Sequence, residues 1–445
     1  MKGRMLMKLF PHQKKCLDET KDLNRVAYYL DMGLGKTFVG AEKMVQLGKR
    51  INLIVCQKSK IQDWINHFKK YYPLFPIYDL TTKELLAFLS YENNDLQCGL
   101  SIVGIINYEL AWRRKDLLKL EDFTLMLDES SLIQNRKAKQ SKFILRLDPA
   151  NVILLSGTPT SGKYENLWSQ MHLLGWDISE STYNNQYVNW KSQKIGWGTN
   201  ARFVPIVDKK QPYKNVERLK SKMRDHGAVF MKTEEVLELP KQIITEIEVN
   251  TSKDYKRFQK TGILVLHYEA PDGRSPVIEL VGDTELTKRL YSRQLCGQYS
   301  KAKLEAFRDL VQSTNDRLIV FYNFTDELKA MIPIVHELKK PFGIVNGERK
   351  ELEPYDMESD SITFVQYQAG AMGLNLQKAN KVIYFTLPDG RQDLFNQSMK
   401  RVHRIGQKNT CFYYILICRD SVEEDILKTL NLRKGYTNDL FEQKK

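Results

Sequence analysis

Short apolar runs recur along the chain, separated by longer stretches with helical periodicity. A strand that reads as a continuous apolar run is buried on both faces, which is typical of parallel sheets covered by helices. Five runs precede a polar segment and four follow it: VAYYL (26–30), INLIVC (51–56), LSIVGI (100–105), FTLML (123–127), NVILLS (151–156), then RLIVFY (317–322), SITFV (361–365), KVIYF (381–385) and CFYYILIC (411–418). The two series predict an α/β fold with two doubly wound parallel-sheet lobes.

The polar segment between the two series, residues 176–232, is rich in aromatic side chains and lysines. Its aromatic residues include Trp176, Tyr183, Tyr187, Trp190, Trp197, Phe203 and Tyr213. Basic residues among aromatics can form a stacking surface for nucleic-acid bases. Such aromatics more commonly pack an insertion onto its host domain, and we favour that interpretation. The sequence thus predicts lobe 1 over 1–175, an insertion over 176–232 and lobe 2 over 233–445.

Net charge, cysteine spacing and the length of apolar runs indicate which class of protein this is. The 445 residues carry a formal net charge of +14, which slightly favours a polyanionic partner such as nucleic acid. The six cysteines show no C-x-x-C spacing, so we expect reduced thiols and neither a zinc site nor a disulfide framework. No secretory signal is recognisable, and no run approaches the ~18 apolar residues of a membrane span. A soluble cytoplasmic protein is expected.

The segment LDMGLGKT (30–37) has the character of a phosphate-binding loop. Gly33 and Gly35 leave the backbone open, and Lys36 and Thr37 begin a helix whose N-terminus attracts anions. The full motif has glycine where this chain has Leu30, but the strand–loop–helix context is met. We expect the amides of Gly33, Leu34 and Gly35 to hold the phosphates of ATP, Lys36 to neutralise them and Thr37 to bind Mg²⁺. The alternative is a surface lysine at a helix start.

Two carboxylates, Asp128 and Glu129, follow the run FTLML, which would deliver them to the carboxyl edge of the sheet. Asp128 suits Mg²⁺, and Glu129 suits a general base that polarises the attacking water. A second turn, SGTPT (156–160), follows another buried strand. It is either an ordinary turn or a hydroxyl-rich relay between the nucleotide and a nucleic-acid backbone.

In the second lobe, Gln397, Arg401 and Arg404 are spaced i, i+4 and i+7, which predicts one face of a helix. Outward arginines usually form a solvated stripe. Here they are candidates for arginine fingers that stabilise charge on the transferring phosphoryl group. The glycine-bearing segment QAGAMGLNLQKA (368–379) supplies Asn375 on a loop.

These motifs, in this order, resemble helicase superfamily two and, within it, the Swi/Snf family of double-stranded DNA translocases. The similar segments are DMGLGKT, QKSKIQDW with Trp64, INYEL (106–110), TEEVLELPKQ (233–242), AGAMGLNL and RVHRIGQ. The last is the most specific. The resemblance extends from Gln13 to about residue 430, which is nearly the whole chain.

The resemblance implies two RecA-like lobes that bind duplex DNA across a shared cleft and step along it while hydrolysing ATP. It assigns Gln13 to adenine recognition and groups Gln397 with the nucleotide-binding residues. It further implies that Lys36, Asp128, Glu129, Arg401 and Arg404 serve catalysis. It also places four residues among the DNA-facing loops: Ser59, Asn107, Tyr108 and Asn375.

Two positions depart from the family pattern. Ser131 replaces the histidine that links the nucleotide site to the DNA-contacting turn, and Gln134 replaces the lysine usual before Asn135. Neither change removes the Mg²⁺ or water roles. Because a serine still donates a hydrogen bond, we expect altered coupling between hydrolysis and DNA rather than its loss.

The leading hypothesis is an ATP-dependent translocase on double-stranded DNA, with forked or single-stranded DNA as further partners. One alternative is a strand-separating helicase, although no wedge element is recognisable. Another is a nucleotide-gated DNA-binding or loading factor, which Ser131 keeps open. An RNA helicase fits R-x-H-R-I-G-Q less well. Since the chain lacks room for chromatin-reading modules, we expect a monomeric motor in a bacterial or phage-infected cytoplasm and no nucleosome remodelling.

Overall fold

The computed structural model describes residues 9–92, 101–195, 201–267, 277–370 and 374–442. The chain forms two compact units. Unit 1 holds the described residues up to Val236 and from Tyr436 onward, and unit 2 holds Leu237–Gly435. Trp197, one of the aromatic residues considered for base stacking, lies outside the described residues, as do residues 371–373 of the AGAMGLNL segment.

Unit 1 alternates strands and helices. In chain order its elements are α1 (Pro11–Glu19), β1 (Arg25–Leu30), α2 (Lys36–Leu47), β2 (Ile51–Cys56), α3 (Ile61–Tyr71), β3 (Ile77–Asp79), α4 (Glu84–Glu92), β4 (Ile102–Asn107), α5 (Tyr108–Ala111), β5 (Thr124–Asp128), α6 (Lys139–Ile144), β6 (Asn151–Ser156), α7 (Trp168–Leu173), α8 (Glu180–Tyr187), β7 (Trp190–Ile195), β8 (Arg202–Val207), α9 (Val216–Asp225) and β9 (Ala228–Met231). Seven strands form one parallel sheet in the order β3-β4-β2-β5-β6-β1-β9. Strands β7 and β8 form a separate antiparallel hairpin.

Unit 2 repeats the alternation. Its elements are β10 (Gln242–Val249), α10 (Lys253–Thr261), β11 (Ile263–His267), β12 (Val277–Val281), α11 (Glu285–Cys296), α12 (Lys301–Gln312), β13 (Leu318–Tyr322), α13 (Thr325–Glu337), β14 (Phe342–Val345), α14 (Glu353–Met357), β15 (Ile362–Gln366), α15 (Tyr367–Gly370), β16 (Lys381–Tyr384), α16 (Gln392–Val402), β17 (Cys411–Cys418) and the first part of α17 (Val422–Phe441). Six strands form a parallel sheet in the order β10-β17-β16-β13-β15-β14. The predicted fold of two doubly wound α/β lobes is confirmed.

The central strands are buried on both faces, as the apolar runs predict. Every residue of β2, β4 and β6 is buried, and the same holds for β13. Two cores, one on each side of the sheet, flank the strands of unit 2. None of the helices in the described part of the chain combines the length and apolar character that a membrane crossing needs.

The aromatic segment divides into two populations. Tyr183 and Tyr187 are fully buried, and Trp176 and Tyr213 pack against the same core of unit 1. The packing interpretation is confirmed for these four residues. Trp190 and Phe203 lie on the β7–β8 hairpin and are exposed, whereas Phe230 of β9 is half-buried against the core of unit 1.

The end of α17 belongs to unit 1, a placement that the sequence does not predict. The hydroxyl of Tyr164 donates to the carbonyl oxygen of Tyr436 (2.8 Å) and lies 3.0 Å from Asp439 Oδ2. Lys220 Nζ pairs with the same Asp439 carboxylate at 2.5 Å. Phe441, 6% exposed, packs its ring against Phe230 of β9. These contacts fasten the last turns of the chain to the edge of the seven-stranded sheet.

Candidate active site

The loop between β1 and α2 has the conformation of an anion cradle. Gly33 and Gly35 have φ values of 88° and 77°, in the left-handed region that favours glycine. Gly35 caps α2, so the unpaired N–H groups and the positive dipole end of this 12-residue helix face the loop. A Cβ atom on Gly35 would lie 2.2 Å from Gln13 Nε2. Glycine is therefore required there both by the backbone and by the neighbouring side chain.

Gln13 fastens helix α1 to this loop. The side chain is 3% exposed, its Nε2 donates to the carbonyl oxygen of Leu34 (3.2 Å), and its Oε1 accepts from the amide of Phe10 (3.0 Å). His12 Nε2 lies 3.0 Å from the same Leu34 oxygen. The glutamine predicted to read adenine thus lies directly beside the phosphate loop.

The ammonium group of Lys36 lies at the carboxyl end of β1. Its Nζ donates to the carbonyl oxygens of Leu30 (2.9 Å) and Asp31 (3.4 Å). A Cβ atom on Gly157, in the turn after β6, would come within 3.3 Å of this nitrogen. The SGTPT turn and the phosphate loop are therefore neighbours, and the glycine keeps space open around the lysine.

Asp128, the last residue of β5, is held by two aromatic side chains. Trp64 Nε1 donates to its Oδ2 at 2.9 Å, and the hydroxyl of Tyr108 donates to its backbone carbonyl at 3.0 Å. Burial raises the pKa of Asp128, while the Trp64 hydrogen bond and the charges of Lys36 and Lys60 oppose that rise. The carboxylate is thus kept close to the phosphate-loop lysine in a partly desolvated place.

Glu129 adopts a backbone conformation that is uncommon for a residue with a side chain, with φ of 55°. It precedes a short 3₁₀ turn, and Ser156 Oγ donates to its Oε2 at 3.4 Å. Left-handed non-glycine residues store strain and cluster at functional sites, where surrounding structure holds them. This left-handed residue makes the turn from the end of β5 into the short 3₁₀ turn that follows.

A buried glutamine that sequence analysis missed joins the acidic strand to the SGTPT turn. Gln170 is fully buried, and its Oε1 accepts from Ser130 Oγ (2.8 Å) and from the Tyr29 hydroxyl (3.0 Å). Its Nε2 donates to the carbonyl oxygen of Pro159 (2.7 Å). Among the described residues, the Ser131 side chain makes no hydrogen bond to Gln170. The connection between the acidic strand and the SGTPT turn therefore passes through Ser130. No local pattern marks Gln170, because its partners lie 11 to 141 residues away in sequence.

In unit 2 the predicted arginine helix ends earlier than the spacing suggests. Helix α16 stops at Val402, so Gln397 and Arg401 lie on it and Arg404 does not. The prediction of one helical face for all three is therefore wrong. His403 ends the helix, since its ring Nε2 donates to the carbonyl oxygen of Pro240 (2.8 Å). A tertiary contact thus overrides the helical periodicity.

Arg404 instead lies beside the loop that carries Asn375. Its guanidinium donates to Asn375 Oδ1 and approaches the carbonyl oxygen of Leu374 (3.5 Å). Burial lowers the pKa of Arg404. The carbonyl oxygen of Arg401 accepts from the amide of Leu376 (3.1 Å), so both arginines are tied to this loop. The structure therefore brings Asn375 together with Arg401 and Arg404, which follow it by 26 and 29 residues in the sequence.

The residues predicted to face DNA differ in exposure. Ser59 and Asn375 are exposed, whereas Asn107 is 6% exposed and donates to Glu109 Oε2 at 2.7 Å. Tyr108, predicted as a nucleic-acid contact, is 1% exposed because its ring fills the core beneath β5 and its hydroxyl bonds to Asp128. The Tyr108 side chain therefore supports the acidic strand β5 from inside the core and is not presented at the protein surface.

The donor set of unit 1 fits a magnesium nucleotide. The Thr37 hydroxyl and the Asp128 carboxylate are hard oxygen donors of the kind that Mg²⁺ prefers. The positive-φ glycines and the start of α2 provide amide groups for phosphate. A parallel α/β sheet with this loop after β1 and an acidic pair after β5 defines a domain of the P-loop class.

Comparison with known protein families specifies the class further. The model of the SNF2-related domain matches residues 29–296, and that of the helicase conserved C-terminal domain matches residues 302–406. The chain therefore belongs to the SNF2-related family. The resemblance predicted from the sequence motifs is confirmed.

Several curated proteins are similar over most of this chain. A SWI/SNF-related regulator of chromatin, subfamily A member 1, of Mus musculus is 23% identical over 91% of this chain and 40% of its own length. A probable ATP-dependent DNA helicase of Arabidopsis thaliana is 25% identical over 91% of this chain and 39% of its own. An uncharacterized ATP-dependent helicase of Mycoplasma genitalium is 21% identical over the same shares, 91% and 39%. The chain spans about 40% of the length of these relatives.

A solved structure, the Sulfolobus solfataricus SWI2/SNF2 ATPase core in complex with double-stranded DNA, is also similar. It is 20% identical, with a TM-score of 0.44, and the match covers 98% of this chain and 93% of that one.

Proposed function

We propose that this protein is an ATP-dependent translocase that moves along double-stranded DNA. The observation that carries the proposal is the convergence of Lys36, Asp128 and the SGTPT turn beside the phosphate loop of unit 1. Membership of the SNF2-related family supports it, as do relatives described as ATP-dependent DNA helicases and chromatin regulators. Double-stranded DNA as the substrate fits the net positive charge of the chain.

In this proposal each residue of unit 1 has a defined task. Amides of the loop and the start of α2 bind the phosphates of ATP, and Lys36 neutralises their charge. Thr37 and Asp128 would hold Mg²⁺, which supplies charge stabilisation on the phosphoryl oxygens when bound. Glu129 orients and polarises the attacking water, and its strained backbone fixes the direction of its carboxylate. Gln13, fixed against the loop, reads the adenine.

Residues of unit 2 are proposed to complete the reaction. Arg401 and Arg404 would stabilise charge on the transferring phosphoryl group, with Gln397 among the nucleotide-binding residues. Ser59, Asn107 and Asn375 are proposed to contact the DNA backbone. The bond from Arg404 to Asn375 gives this arginine a direct connection to a proposed DNA contact.

The path Ser130–Gln170–Pro159 is proposed to couple the nucleotide to DNA in place of the family histidine. A change in position of the acidic strand is passed by two hydrogen bonds to the SGTPT turn. Because Gln170 is fully buried, both bonds form away from competing water, where each is strong and costly to break.

The experiment that tests the proposal is steady-state ATP hydrolysis by the purified protein. Hydrolysis is measured alone and with blunt duplex DNA, single-stranded DNA or RNA, with Lys36→Ala as the inactive control. We expect the strongest stimulation with duplex DNA. Hydrolysis indifferent to every nucleic acid would overturn the translocase proposal, and turnover unchanged in Lys36→Ala would overturn the assignment of the phosphate loop.

A further inference from the structure

The β7–β8 hairpin stands apart from the sheet of unit 1. Among the described residues no other strand pairs with either of its strands. Its base is buried, since Val188 is 1% exposed and bridges to Tyr213, whose ring stacks on Tyr164 at 4.3 Å. The amide of Asn189 also donates to the carbonyl oxygen of Pro212 (2.9 Å). The hairpin is therefore held at its base and exposed along its strands.

One face of the hairpin presents large apolar groups to solvent. Phe203 is 72% exposed and Trp190 is 41% exposed. Register places Phe203 opposite Lys194 and Val207 opposite Trp190, so these side chains and the exposed Pro205 share a face. Trp190 and Lys194 are four residues apart on one strand, which corresponds to about 13 Å. The face thus offers two aromatic rings separated by the length of a few nucleotides.

The charge of this segment is strongly positive. Residues 190–210 contain five cations and one carboxylate: Lys191, Lys194, Arg202, Lys209, Lys210 and Asp208. Asp208 pairs with Lys191 at 2.8 Å, which leaves four cations in excess. Exposed aromatic rings beside cations match a polyanion whose bases are open for stacking, because in a duplex the π-faces of the bases are already covered by the neighbouring base pairs.

We propose that the β7–β8 hairpin binds unpaired DNA bases, stacked on Trp190 and Phe203, with Lys194 of the same face on the adjoining phosphate. This inference rests on the proposed function. It adds to a duplex motor a surface for the single-stranded arm of a fork or junction. The occupant is thus single-stranded DNA, and unchanged single-strand affinity in the stacking variant would assign this face instead to an acidic protein surface.

The test uses the full chain and three fluorescein-labelled probes of one sequence: a 30-nucleotide single strand, a blunt duplex and a fork. The stacking variant is Trp190→Ala with Phe203→Ala, and the charge variant is Lys194→Gln. Leu286→Ala, at a position 79% exposed in unit 2, and Lys260→Gln, at an exposed position of the same unit, are matched controls. Phe203→Tyr with Trp190→Phe retains both rings. Thermal unfolding midpoints report whether each variant folds.

We expect the stacking variant to lose about 30-fold or more in affinity for the single strand and the fork, while binding to blunt duplex changes less than about twofold. The ring-retaining variant should bind like wild type. The charge variant should weaken binding to all three probes and reduce the slope of log K against log salt by about 0.7 for the single strand.

The hairpin proposal would be overturned if the stacking variant lost the same affinity for the single strand and the blunt duplex, or lost none. The translocase proposal would stand in that case if duplex DNA still stimulated hydrolysis by wild type. Conversely, a wild-type protein that binds the single strand through the hairpin but hydrolyses ATP without DNA stimulation would overturn only the translocase proposal. A wild type that binds none of the probes would overturn both.

Discussion

Trp64 donates its indole N–H to Oδ2 of Asp128 across 2.9 Å, and this bond helps keep a buried carboxylate ionised. Trp64 is 1% exposed and belongs to α3, so the nucleotide site is supported by a helix that follows a neighbouring strand of the same sheet. The family-like tryptophan of the QKSKIQDW segment therefore has a specific chemical task. Burial raises the pKa of Asp128, and the indole N–H is the foremost influence opposing that rise.

Trp64→Phe should shift the acid side of the pH–rate profile to higher pH. Asp128 works as the anion, so activity falls as pH drops through its pKa, and loss of the indole donor raises that pKa further. The measurement is ATP turnover across pH 5 to 9. Trp168→Phe is the matched control, because Trp168 Nε1 donates to the carbonyl oxygen of Ile178 (2.8 Å), which is not a residue of the proposed site. An identical shift in the control would contradict the assignment.

Ser130→Ala should weaken DNA stimulation of hydrolysis while Ser131→Ala leaves it unchanged. Ser130 Oγ bonds to Gln170 at 2.8 Å, and one such bond corresponds to ~1 kcal/mol, or about a fivefold effect. The measurement is the ratio of hydrolysis rates with and without duplex DNA for each variant. If DNA stimulation of hydrolysis is lost in Ser131→Ala but not in Ser130→Ala, the coupling role belongs to Ser131, which stands at the position of the family histidine.

Arg404→Ala should reduce ATP turnover by ~10³-fold if the residue acts as an arginine finger. Nucleotide affinity should change far less, because the finger acts on charge in the transition state. Arg419→Ala provides a control, since Arg419 is exposed and pairs with Glu248 at 2.7 Å on the surface of unit 2. If ATP turnover in Arg404→Ala is close to that of the control variant, Arg404 is not an arginine finger.

The sequence predicted the inner strands well and the contacts around the site poorly. Predicted and observed bounds agree for β2, β6 and β17, because a continuous apolar run has one physical interpretation in a parallel sheet. Strand β3, with three half-buried residues, carries no such signal. The bond from Ser130 to Gln170 and the early end of α16 depend on residues 40 or more positions away, which local spacing does not encode.

Lys303→Met should destabilise unit 2 by about 3–5 kcal/mol, the usual effect of leaving a buried charge without its partner. Lys303 Nζ lies 2.6 and 2.5 Å from the two carboxylate oxygens of Glu423, and the side chains are 0% and 3% exposed. The measurement is the free energy of unfolding in urea. The double variant Lys303→Met with Glu423→Leu should recover most of the lost stability. Lys329→Met is the control, because Lys329 pairs with Asp326 on the surface and its loss should have a small effect. A single variant as stable as the double would contradict the prediction.

His67→Phe should remove a loss of stability that wild type suffers in mild acid. His67 lies in α3 among aromatic rings, 4.8 Å from Phe38 and 5.0 Å from Tyr71, and burial lowers its pKa to about 4. In the unfolded chain its pKa is about 6.5, so the unfolded state binds the proton first as pH falls. The stability contributed by the neutral ring is thus complete above pH ~6.5 and declines toward pH ~4, by about 2 kcal/mol at pH 5.

The measurement is the thermal unfolding midpoint of both proteins at pH 8 and pH 5. His67 Nε2 is buried with no hydrogen-bond partner among the described residues, so phenylalanine fits the site without loss of a bond. At pH 8 the two midpoints should be close, and at pH 5 the variant should unfold several degrees higher. Equal pH dependence in both proteins would show that His67 is protonated with little cost and that its ring is solvated in the folded state.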